Sequence, residues 1–303
     1  SIRGTRQHMS DVPTTPETPK LDANHLDEGD WESYDQLVES FEWEIPDEFN
    51  IATYICDRWA EADPDRTALY IKDDQRGKGE YTFGEIQTAA NRLANYFESQ
   101  GIGRGDRIGV NVPQKAESVI GHVAAWKLGA VSVPLSTLFG TEGLRYRLDD
   151  SGASACLIDE STIDVYRSVA DDLDDLGTVL TVGDVAPADG ETDFWDTLEG
   201  YSDEFETVTT NAEDDLTIFY TSGTTGDPKG VRHAHRMHLG HLPLFSMWFT
   251  SLELTDNDVY WTPASWTWMG GLGIVVLPAM YYGKPTVGWN DQFEGEDVFG
   301  LVE

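Results

Sequence analysis

Short runs of apolar and β-branched residues alternate with stretches of helical periodicity along most of the chain. The β-type runs lie at 67–71, 107–112, 131–134, 155–158, 178–182 and 216–220. Apolar residues at helical spacing predict helices over 50–62, 84–100, 116–128, 141–149 and 161–173, and a further helix from about 235. Strands separated by a helix form βαβ units, so the pattern predicts an α/β fold with parallel sheet layers.

Local signals sharpen some of these boundaries. Thr82 and Glu85 have the spacing of a capping box, and Gly101 is placed to end the helix that they begin. A hairpin-like loop precedes this helix, and 183–215 is acidic and irregular, as expected for a surface segment. The 25 residues of 259–283 carry no charge, but prolines and glycines interrupt them. A buried strand, loop and helix therefore explain this stretch better than a membrane span.

The first thirty residues differ from the rest of the chain. Residues 1–9 are basic, unlike the acidic segments after them, and we expect them to derive from an expression vector. Residues 10–30 are rich in Pro, Thr and Asp with few large apolar side chains, which predicts a disordered or surface-wrapping arm. The folded part is therefore expected to begin near residue 31.

Acidic residues outnumber basic ones by 55 to 20, which gives a formal net charge of −35 at pH 7. Such a surface repels itself in dilute buffer, whereas molar salt, with a Debye length of roughly 3 Å, screens most of the repulsion. The composition indicates a protein from a salt-accumulating halophile, with an ordinary acidic protein as the alternative. The same charge argues against binding to nucleic acid or to anionic lipid.

The cysteines and the first residues point to a cellular compartment. Cys56 and Cys156 fit no zinc or redox spacing, and both lie in apolar runs, so we expect buried free thiols in a reducing cytosol. No basic segment followed by an apolar one indicates a signal peptide. The sequence thus predicts a cytoplasmic protein.

A loop rich in glycine and hydroxyl residues, TSGTTGDPKG at 221–230, follows the predicted strand 216–220. Its glycines allow sharp turns that expose consecutive backbone N–H groups, and these donors with the hydroxyls form a concave anion site. Lys229 adds a mobile cation suited to a terminal phosphate. The spacing is not the Walker pattern, because Lys229 follows Gly226 by three positions and precedes Gly230. The alternative is a flexible surface loop.

The run YTSGTTGDPKGV resembles the signature loop of the adenylate-forming superfamily, which includes acyl-CoA synthetases, luciferases and peptide-synthetase adenylation domains. The resemblance covers most of residues 40–303. The segments most similar to short- and medium-chain acyl-CoA synthetases are 125–135 (AWKLGAVSVPL), 136–140 (STLFG), 144–150 (LRYRLDD) and 262–271 (TPASWTWMGG). Relatives usually carry Asp where this chain has Ser265, which leaves the role of that carboxylate open here.

The resemblance implies an AMP-forming acyl-CoA ligase. In that family a carboxylate attacks the α-phosphate of Mg²⁺·ATP, pyrophosphate leaves, and the acyl group passes from the adenylate to CoA. The substrates would be ATP, CoA and a short- or medium-chain carboxylic acid. The β- and γ-phosphates would be held by Thr221, Ser222, Gly223, Thr224, Thr225, Gly226 and Lys229. The acyl pocket would be lined by Trp268, Met269 and Gly270, unless these residues simply pack in a core helix.

Four histidines follow the loop, at 233, 235, 238 and 241. His235 matches a histidine that often follows the loop in relatives, so we expect it near the substrate. The spacing of the last three places them only roughly on one helix face, without Cys or carboxylate partners at the usual zinc spacing. We therefore predict no metal site.

Members of the superfamily continue with a ribose-binding Asp, a hinge and a mobile C-terminal domain that supplies the catalytic Lys. None of these precedes Glu303, so no catalytic residue is assigned. We expect residues 31–303 to form a partial N-terminal AMP-binding domain that lacks the C-terminal domain and is inactive alone. Two alternatives stay open: a ligase that passes its acyl group to a carrier protein, and a non-catalytic homologue that binds nucleotide or a partner chain. Homo-oligomer formation stays open too.

Overall fold

The computed structural model describes residues 12–26, 29, 31–72, 79–222, 226–250 and 254–290. Within these ranges the helices are α1 Tyr34–Ser40, α2 Arg58–Ala62, α3 Phe83–Ser99, α4 Ala116–Lys127, α5 Thr141–Ser151, α6 Ile163–Arg167, α7 Phe194–Leu198, α8 Met237–Phe249 and α9 Leu277–Tyr281. The strands are β1 Thr67–Lys72, β2 Glu80–Thr82, β3 Arg107–Asn111, β4 Val131–Pro134, β5 Ala153–Asp159, β6 Thr178–Val182, β7 Glu191–Asp193, β8 Asp215–Thr221, β9 Lys229–Ala234, β10 Tyr260–Trp261 and β11 Thr286–Trp289. Two π-helical segments, Thr53–Asp57 and Leu272–Val276, lead into α2 and α9.

The described strands form a seven-stranded and a four-stranded sheet. The larger has the order β7-β6-β5-β3-β4-β8-β9, and its neighbours are parallel except for β8 and β9. The smaller has the order β10-β11-β1-β2, with only β1 and β2 antiparallel among the described strands. The predicted α/β fold with parallel layers is confirmed.

Side chains that alternate along the strands form a hydrophobic core on each face of the larger sheet. In β5, Ala155 and Leu157 join one cluster of buried side chains, whereas Cys156 and Ile158 join the other. Helices α3 and α4 cover the first face, and α5 and α6 cover the second. Because the side chains of a strand alternate between the two faces, the strands of a sheet covered on both sides have continuously apolar sequences. Both cysteines are buried and unpaired, as predicted.

Helices α3 and α4 show how the sequence sets the element boundaries. The Thr82 hydroxyl accepts the Glu85 N–H while the Glu85 carboxylate accepts the Thr82 N–H, so the predicted capping box is present. Helix α4 is buried along its whole length, including the ammonium of Lys127. That ammonium donates to the Asp57 carboxylate and, at 2.8 Å, to the hydroxyl of Thr207. A buried cation is therefore neutralised within the core.

The described part of the arm, residues 12–26, lies against the folded body. Val12 and Leu21 belong to the main buried cluster, and Leu21 has a left-handed φ of 60°. The Tyr281 hydroxyl donates to the carbonyl oxygen of Lys20 at 2.7 Å. Helix α1, which comes after the arm, buries none of its residues.

Three local predictions need correction. Lys229 and Gly230, predicted as the end of the loop, begin strand β9, and α8 starts at Met237 instead of the predicted start near residue 235. The helix expected over 161–173 is divided into α6 and the 3₁₀ turn Ala170–Asp172. The segment 183–215 contains β7 and α7, and Phe194 in α7 is fully buried, so this segment is not only a surface covering.

The uncharged stretch 259–283 forms β10, a loop, a π-helical segment and α9, in agreement with the predicted strand, loop and helix. Trp266, Met280 and Tyr281 in this stretch are completely buried. None of the helices in the described ranges combines the length and the apolar character needed to span a bilayer.

Candidate active site

The signature loop is the turn of a β-hairpin. Strands β8 and β9 pair antiparallel, and Thr221 lies opposite Lys229 at the last paired position. Residues 222–228 therefore connect the two strands, and 223–225 among them, which include the predicted Gly223, Thr224 and Thr225, lie outside the described residues. Thr221, Ser222 and Lys229 are exposed to solvent. The pairing brings the first hydroxyl residue and the lysine of the loop side by side.

Two glycines of the hairpin are required for different reasons. Gly226 has a φ of +92°, and nothing lies within 4 Å of the place of a Cβ, so its requirement is conformational. A Cβ on Gly230 would lie 2.9 Å from Cγ2 of Ile218 and 3.3 Å from Cζ of Tyr220. Glycine at 230 therefore permits the close approach of the two strands.

Helix α5 holds both arms of the hairpin. The Tyr220 hydroxyl, at the end of β8, donates to the Asp150 carboxylate at 2.6 Å. The Tyr146 hydroxyl donates to the carbonyl oxygen of Pro228, on the other arm, at 3.0 Å. Tyr146 and Asp150 are four positions apart and share one helix face. One helix thus fixes both the departure and the return of the loop.

Burial and charge define the state of these side chains. Burial raises the pKa of Tyr220, and the hydrogen bond to Asp150 raises this pKa further, so the phenol stays protonated and donates. Arg147 stacks with its Cζ 3.8 Å from the ring centroid of Phe139 and 5.6 Å from that of Tyr220. Burial lowers the pKa of Arg147. The Arg147 guanidinium therefore lies between two aromatic rings, and one of them, that of Tyr220, belongs to the strand that leads into the loop.

A tight turn closed by Ser265 precedes the predicted acyl-pocket residues. The Ser265 hydroxyl accepts the N–H of Thr267 at 3.2 Å and lies 2.8 Å from the Thr267 hydroxyl. Asp and Ser both close turns of this kind with a side-chain oxygen. Serine thus closes the turn in this chain without adding a carboxylate.

The three predicted acyl-pocket residues have different environments. Trp268 is 42% exposed, and Gly270 is exposed with open space where a Cβ would lie. Met269 is partly buried against the core, and its Sδ lies 2.5 Å from the place of a Cβ on Gly273. These residues do not pack together in a core helix, because they precede the π-helical segment and two of them face solvent.

Phe139 connects this turn with the helix that holds the loop. The rings of Phe139 and Trp268 meet edge to face, with centroids 6.3 Å apart and an interplanar angle of 77°. Phe139 also contacts the Arg147 guanidinium on α5. Through Phe139, Trp268 is therefore linked to α5, the helix that holds both arms of the hairpin.

The sequence from 56 to 302 matches the family described as AMP-binding enzyme. The chain belongs to the AMP-binding enzyme family. The predicted membership of the adenylate-forming, AMP-binding superfamily is thereby confirmed. The sheets and helices of the described ranges resemble the N-terminal domain of adenylate-forming enzymes.

Relatives in the AMP-binding family include acyl-CoA ligases. An acetyl-coenzyme A synthetase of Halorhodospira halophila is 29% identical over 266 residues, which are 82% of this chain and 40% of that protein. An acyl-CoA synthetase of Brucella canis has a TM-score of 0.77 and 26% identity, over 90% of this chain and 50% of that one. An anthranilate CoA ligase in complex with anthranoyl-AMP has a TM-score of 0.74 and 25% identity, over 82% of this chain and 46% of that one. The chain thus spans between two fifths and half the length of these relatives.

The structure does not bring His235 to the signature loop of this AMP-binding chain. His235 comes after β9, next to Asp214 at the start of β8, whereas the loop lies at the opposite end of the hairpin. Its imidazole is fully buried, and its Nδ1 accepts the N–H of Ile51 at 3.1 Å. Burial lowers the pKa of His235 to about 4, so the ring is neutral. Its role here is to bind the start of the helical segment at residue 51.

The neighbouring histidines lie in separate environments. His238 is completely buried near Arg58, whereas Nδ1 of His241 lies 2.9 Å from the carbonyl oxygen of Gly273. Within the described ranges, His, Cys, Asp and Glu side chains form no group of three that could hold a metal ion. Of these histidines it is His241, beside Gly273, that contacts the segment after the acyl-pocket turn.

Sequence reasoning missed the residues of α5 that support the site. Tyr146, Arg147 and Asp150 fall in the segment LRYRLDD, which the family resemblance included without giving these side chains a role. The spacing of Tyr146 and Asp150 shows that they share a helix face, but only the fold shows which segment that face meets. Their contact with the hairpin joins parts of the chain that are 70 and 82 residues apart.

Proposed function

We propose that the chain is the nucleotide- and acid-binding part of an AMP-forming acyl-CoA ligase. The observation that carries this proposal is the glycine-rich hairpin, with Thr221 and Lys229 paired at its base and both arms held by α5, in a member of the AMP-binding family. Acyl-CoA ligases among its relatives support the same reaction class. The reaction would join a carboxylic acid to CoA, with ATP converted to AMP and pyrophosphate.

The roles of the loop residues derive from the chemistry of adenylyl transfer. This reaction depends on positioning the phosphates and on neutralising the charge of the leaving pyrophosphate. We assign the β- and γ-phosphates of Mg²⁺·ATP to the backbone N–H groups and hydroxyls of 221–226 and to the Lys229 ammonium. An exposed lysine on a strand end can reach a ligand in the turn while the backbone pairing stays intact. The hydrogen bonds from α5 would keep both arms of the hairpin in place while the phosphates bind.

The acid would lie at the turn that carries Trp268, Met269 and Gly270. Bulky Trp and Met side chains at this place favour a short or medium acyl chain. Two relatives take small acids according to their names, acetate in one case and anthranilate in the other. We therefore propose a small carboxylic acid as the substrate and CoA as the acceptor, in a cytoplasmic protein adapted to high salt.

ATP–pyrophosphate exchange tests the adenylation step directly. The 303-residue chain would be incubated in molar KCl with Mg²⁺·ATP, labelled pyrophosphate and a panel of carboxylic acids. Label entering ATP with one acid only would support the proposal and identify the substrate. A folded chain that neither exchanges label nor binds Mg²⁺·ATP in calorimetry would contradict it.

The acceptor requires a separate measurement on the same adenylate. Addition of CoA to the exchange-competent mixture should consume the adenylate and form a thioester. A mixture that forms no CoA thioester but acylates a phosphopantetheine carrier protein would reject CoA as the acceptor. A chain that binds Mg²⁺·ATP without exchange would agree both with a ligase whose catalytic Lys lies outside these 303 residues and with a non-catalytic homologue, and exchange by the chain together with the C-terminal domain would then separate the two.

A further inference from the structure

Arg58 is a charged side chain in the interior of the molecule, away from the signature loop. It starts α2, and only 2% of it is accessible to solvent. Its Nη2 donates to the carbonyl oxygen of Tyr281 at 2.7 Å, and its Cζ lies 4.3 Å from the Tyr281 ring centroid. Burial lowers the pKa of Arg58, yet a guanidinium stays protonated in proteins. The core therefore contains a positive charge.

Within the described part of the chain, this charge is compensated by a carbonyl oxygen and by the Tyr281 and Tyr54 rings, whose centroids lie 4.3 and 5.3 Å from Cζ, but by no carboxylate. Among the described residues no carboxylate forms an ion pair with Arg58, and its Nε and Nη1 have no hydrogen-bond partner. Lys127, another buried cation, is by contrast paired with Asp57. An unpaired buried ion is strongly destabilising, so native structures pair their buried charges. The guanidinium thus has unused N–H directions and an unbalanced charge.

Two further buried donors surround the same aromatic ring. The Tyr54 hydroxyl has no partner in the described part of the chain, and the Tyr54 and Tyr281 rings are stacked with centroids 6.4 Å apart. Neither nitrogen of His238 has a partner there, and its ring lies 5.5 Å from that of Tyr281. Both side chains are at most 2% exposed. Arg58, Tyr54 and His238 together form what we call the Arg58 cluster.

The arm closes the Arg58 cluster from the outside. Nε2 of His25 lies 3.0 Å from the Tyr281 hydroxyl, which in turn donates to the carbonyl oxygen of Lys20. Glu44, whose charge raises the pKa of Tyr54, is exposed, and its carboxylate accepts the N–H of Ala23 at 3.3 Å. The Glu44 carboxylate therefore stays at the surface, and the buried donors of the Arg58 cluster remain without it.

We propose that the Arg58 cluster binds one small monovalent anion, of the halide class. A single negative charge would balance the guanidinium, and spherical halides accept hydrogen bonds from several directions. The donors available are N–H groups of Arg58, the Tyr54 hydroxyl and one N–H of His238. The site is separate from the signature loop and requires no nucleotide.

Crystallography with bromide tests the site without any mutation. Crystals of the 303-residue chain would be grown or soaked in KBr and measured at the bromine absorption edge. We expect an anomalous peak in hydrogen-bonding contact with Nε or Nη1 of Arg58. Ordered water in place of the peak, or a carboxylate of the chain itself on the guanidinium, would overturn the proposal.

Stability measurements in solution separate this site from general salt effects. Urea unfolding would be compared in KBr and in potassium gluconate, whose anion is too large to enter, at the same molar ionic strengths. For one site above its Kd, a tenfold rise in halide activity raises the folding equilibrium constant about tenfold. We expect Arg58→Met to lose this additional halide dependence and to retain the dependence seen in gluconate.

Arg66→Met provides a matched control. Arg66 also stacks on an aromatic ring, with Cζ 4.6 Å from the centroid of Trp59, and it donates to the carbonyl oxygen of Gly283. It is only half-buried, and we place no anion there. Arg66→Met should keep the full difference between bromide and gluconate. Equal anion dependence in wild type and Arg58→Met would reject the site, and if Arg58→Met does not fold, the bromide crystals decide alone.

Discussion

Lys229 is an exposed cation beside Thr221 at the base of the signature loop, and its backbone pairs with β8. Because Lys229→Ala leaves this pairing intact, we expect the variant to fold normally. A hydrogen bond to a charged group contributes about 1.5–3 kcal/mol. Binding of ATP and pyrophosphate should therefore weaken roughly 10- to 150-fold, as measured by titration calorimetry.

Arg232→Ala is the control for Lys229→Ala. Arg232 is an exposed cation on the same strand, but it pairs with Asp215 at 3.0 Å, farther from the turn. Its removal should leave nucleotide affinity unchanged, because the charge lost lies outside the loop. Equal losses in the two variants would indicate a general electrostatic effect, and no loss in Lys229→Ala would contradict the assignment of the phosphates.

His235 ties the stability of the chain to pH. Its pKa of about 4 in the folded state lies below the unfolded value of roughly 6.5, because burial disfavours the charged ring. The unfolded state therefore binds more protons between these values, and stability is complete above pH 6.5 and falls as pH decreases towards 4. At about pH 5.5 this one histidine should lower the unfolding free energy by on the order of 1 kcal/mol.

His235→Asn tests this linkage while keeping an acceptor for the N–H of Ile51. Urea unfolding of both proteins between about pH 7 and about pH 4.5 gives the two pH profiles. Below about pH 6.5 the unfolding free energy of the variant should fall less than that of the wild type. The difference should equal about the contribution of one titrating histidine. The carboxylates that titrate in the same range are common to both proteins and cancel in the comparison. Parallel profiles would show that His235 is protonated without cost in the folded state.

At the scale of elements, α5 holds the hairpin through the Asp150 carboxylate on Tyr220. Asp150→Ala leaves the buried phenol without its acceptor, which costs about 1–3 kcal/mol. We expect a lower urea midpoint, and also a higher KM for ATP if the chain exchanges pyrophosphate, because the hairpin loses a contact that holds one of its arms. Asp149→Ala, on the neighbouring exposed position of α5, should change neither. Similar effects of Asp150→Ala and Asp149→Ala would contradict a specific role of Asp150 in holding the hairpin.

Elements with a strong periodic pattern could be predicted closely from the sequence. The run 178–182 coincides with β6, and the expected start of α4 at residue 116 is correct, because each buries a continuous apolar surface. Strand β9 escapes prediction because its one large apolar residue, Val231, is 40% exposed. An edge strand of this kind is held by backbone pairing with β8, and no pattern within residues 229–234 reveals that partner.

The same distinction applies to the candidate site. The loop could be identified from glycines and hydroxyls that are consecutive in the sequence, since backbone geometry and donors are local properties. The contacts of Tyr146 with Pro228 and of Phe139 with Trp268 join distant segments, so only the fold reveals them. His235 is expected near the substrate because it matches a histidine of relatives, and only the fold shows that it lies at the end of the hairpin opposite the loop.

At the scale of the whole molecule, the net charge of −35 opposes folding in dilute buffer. We expect the circular-dichroism signal of the folded chain to persist in molar KCl and to be lost as the salt is diluted to millimolar concentrations. Screening is the physical reason, because the Debye length grows from roughly 3 Å at about 1 M to roughly 30 Å at about 0.01 M. A signal that stays constant over this range would contradict adaptation to high salt.

Screening and occupancy of the Arg58 cluster predict different responses to the identity of the salt. Screening depends on ionic strength, so potassium gluconate should refold the diluted chain by screening alone, and sucrose at equal osmolality should not refold it. The anion site adds a dependence on halide that gluconate cannot supply. Refolding curves in KBr should therefore lie at lower ionic strength than those in gluconate for wild type and Arg66→Met, and coincide with the gluconate curve for Arg58→Met. Curves that coincide in all three proteins would leave screening as the complete explanation of the salt requirement.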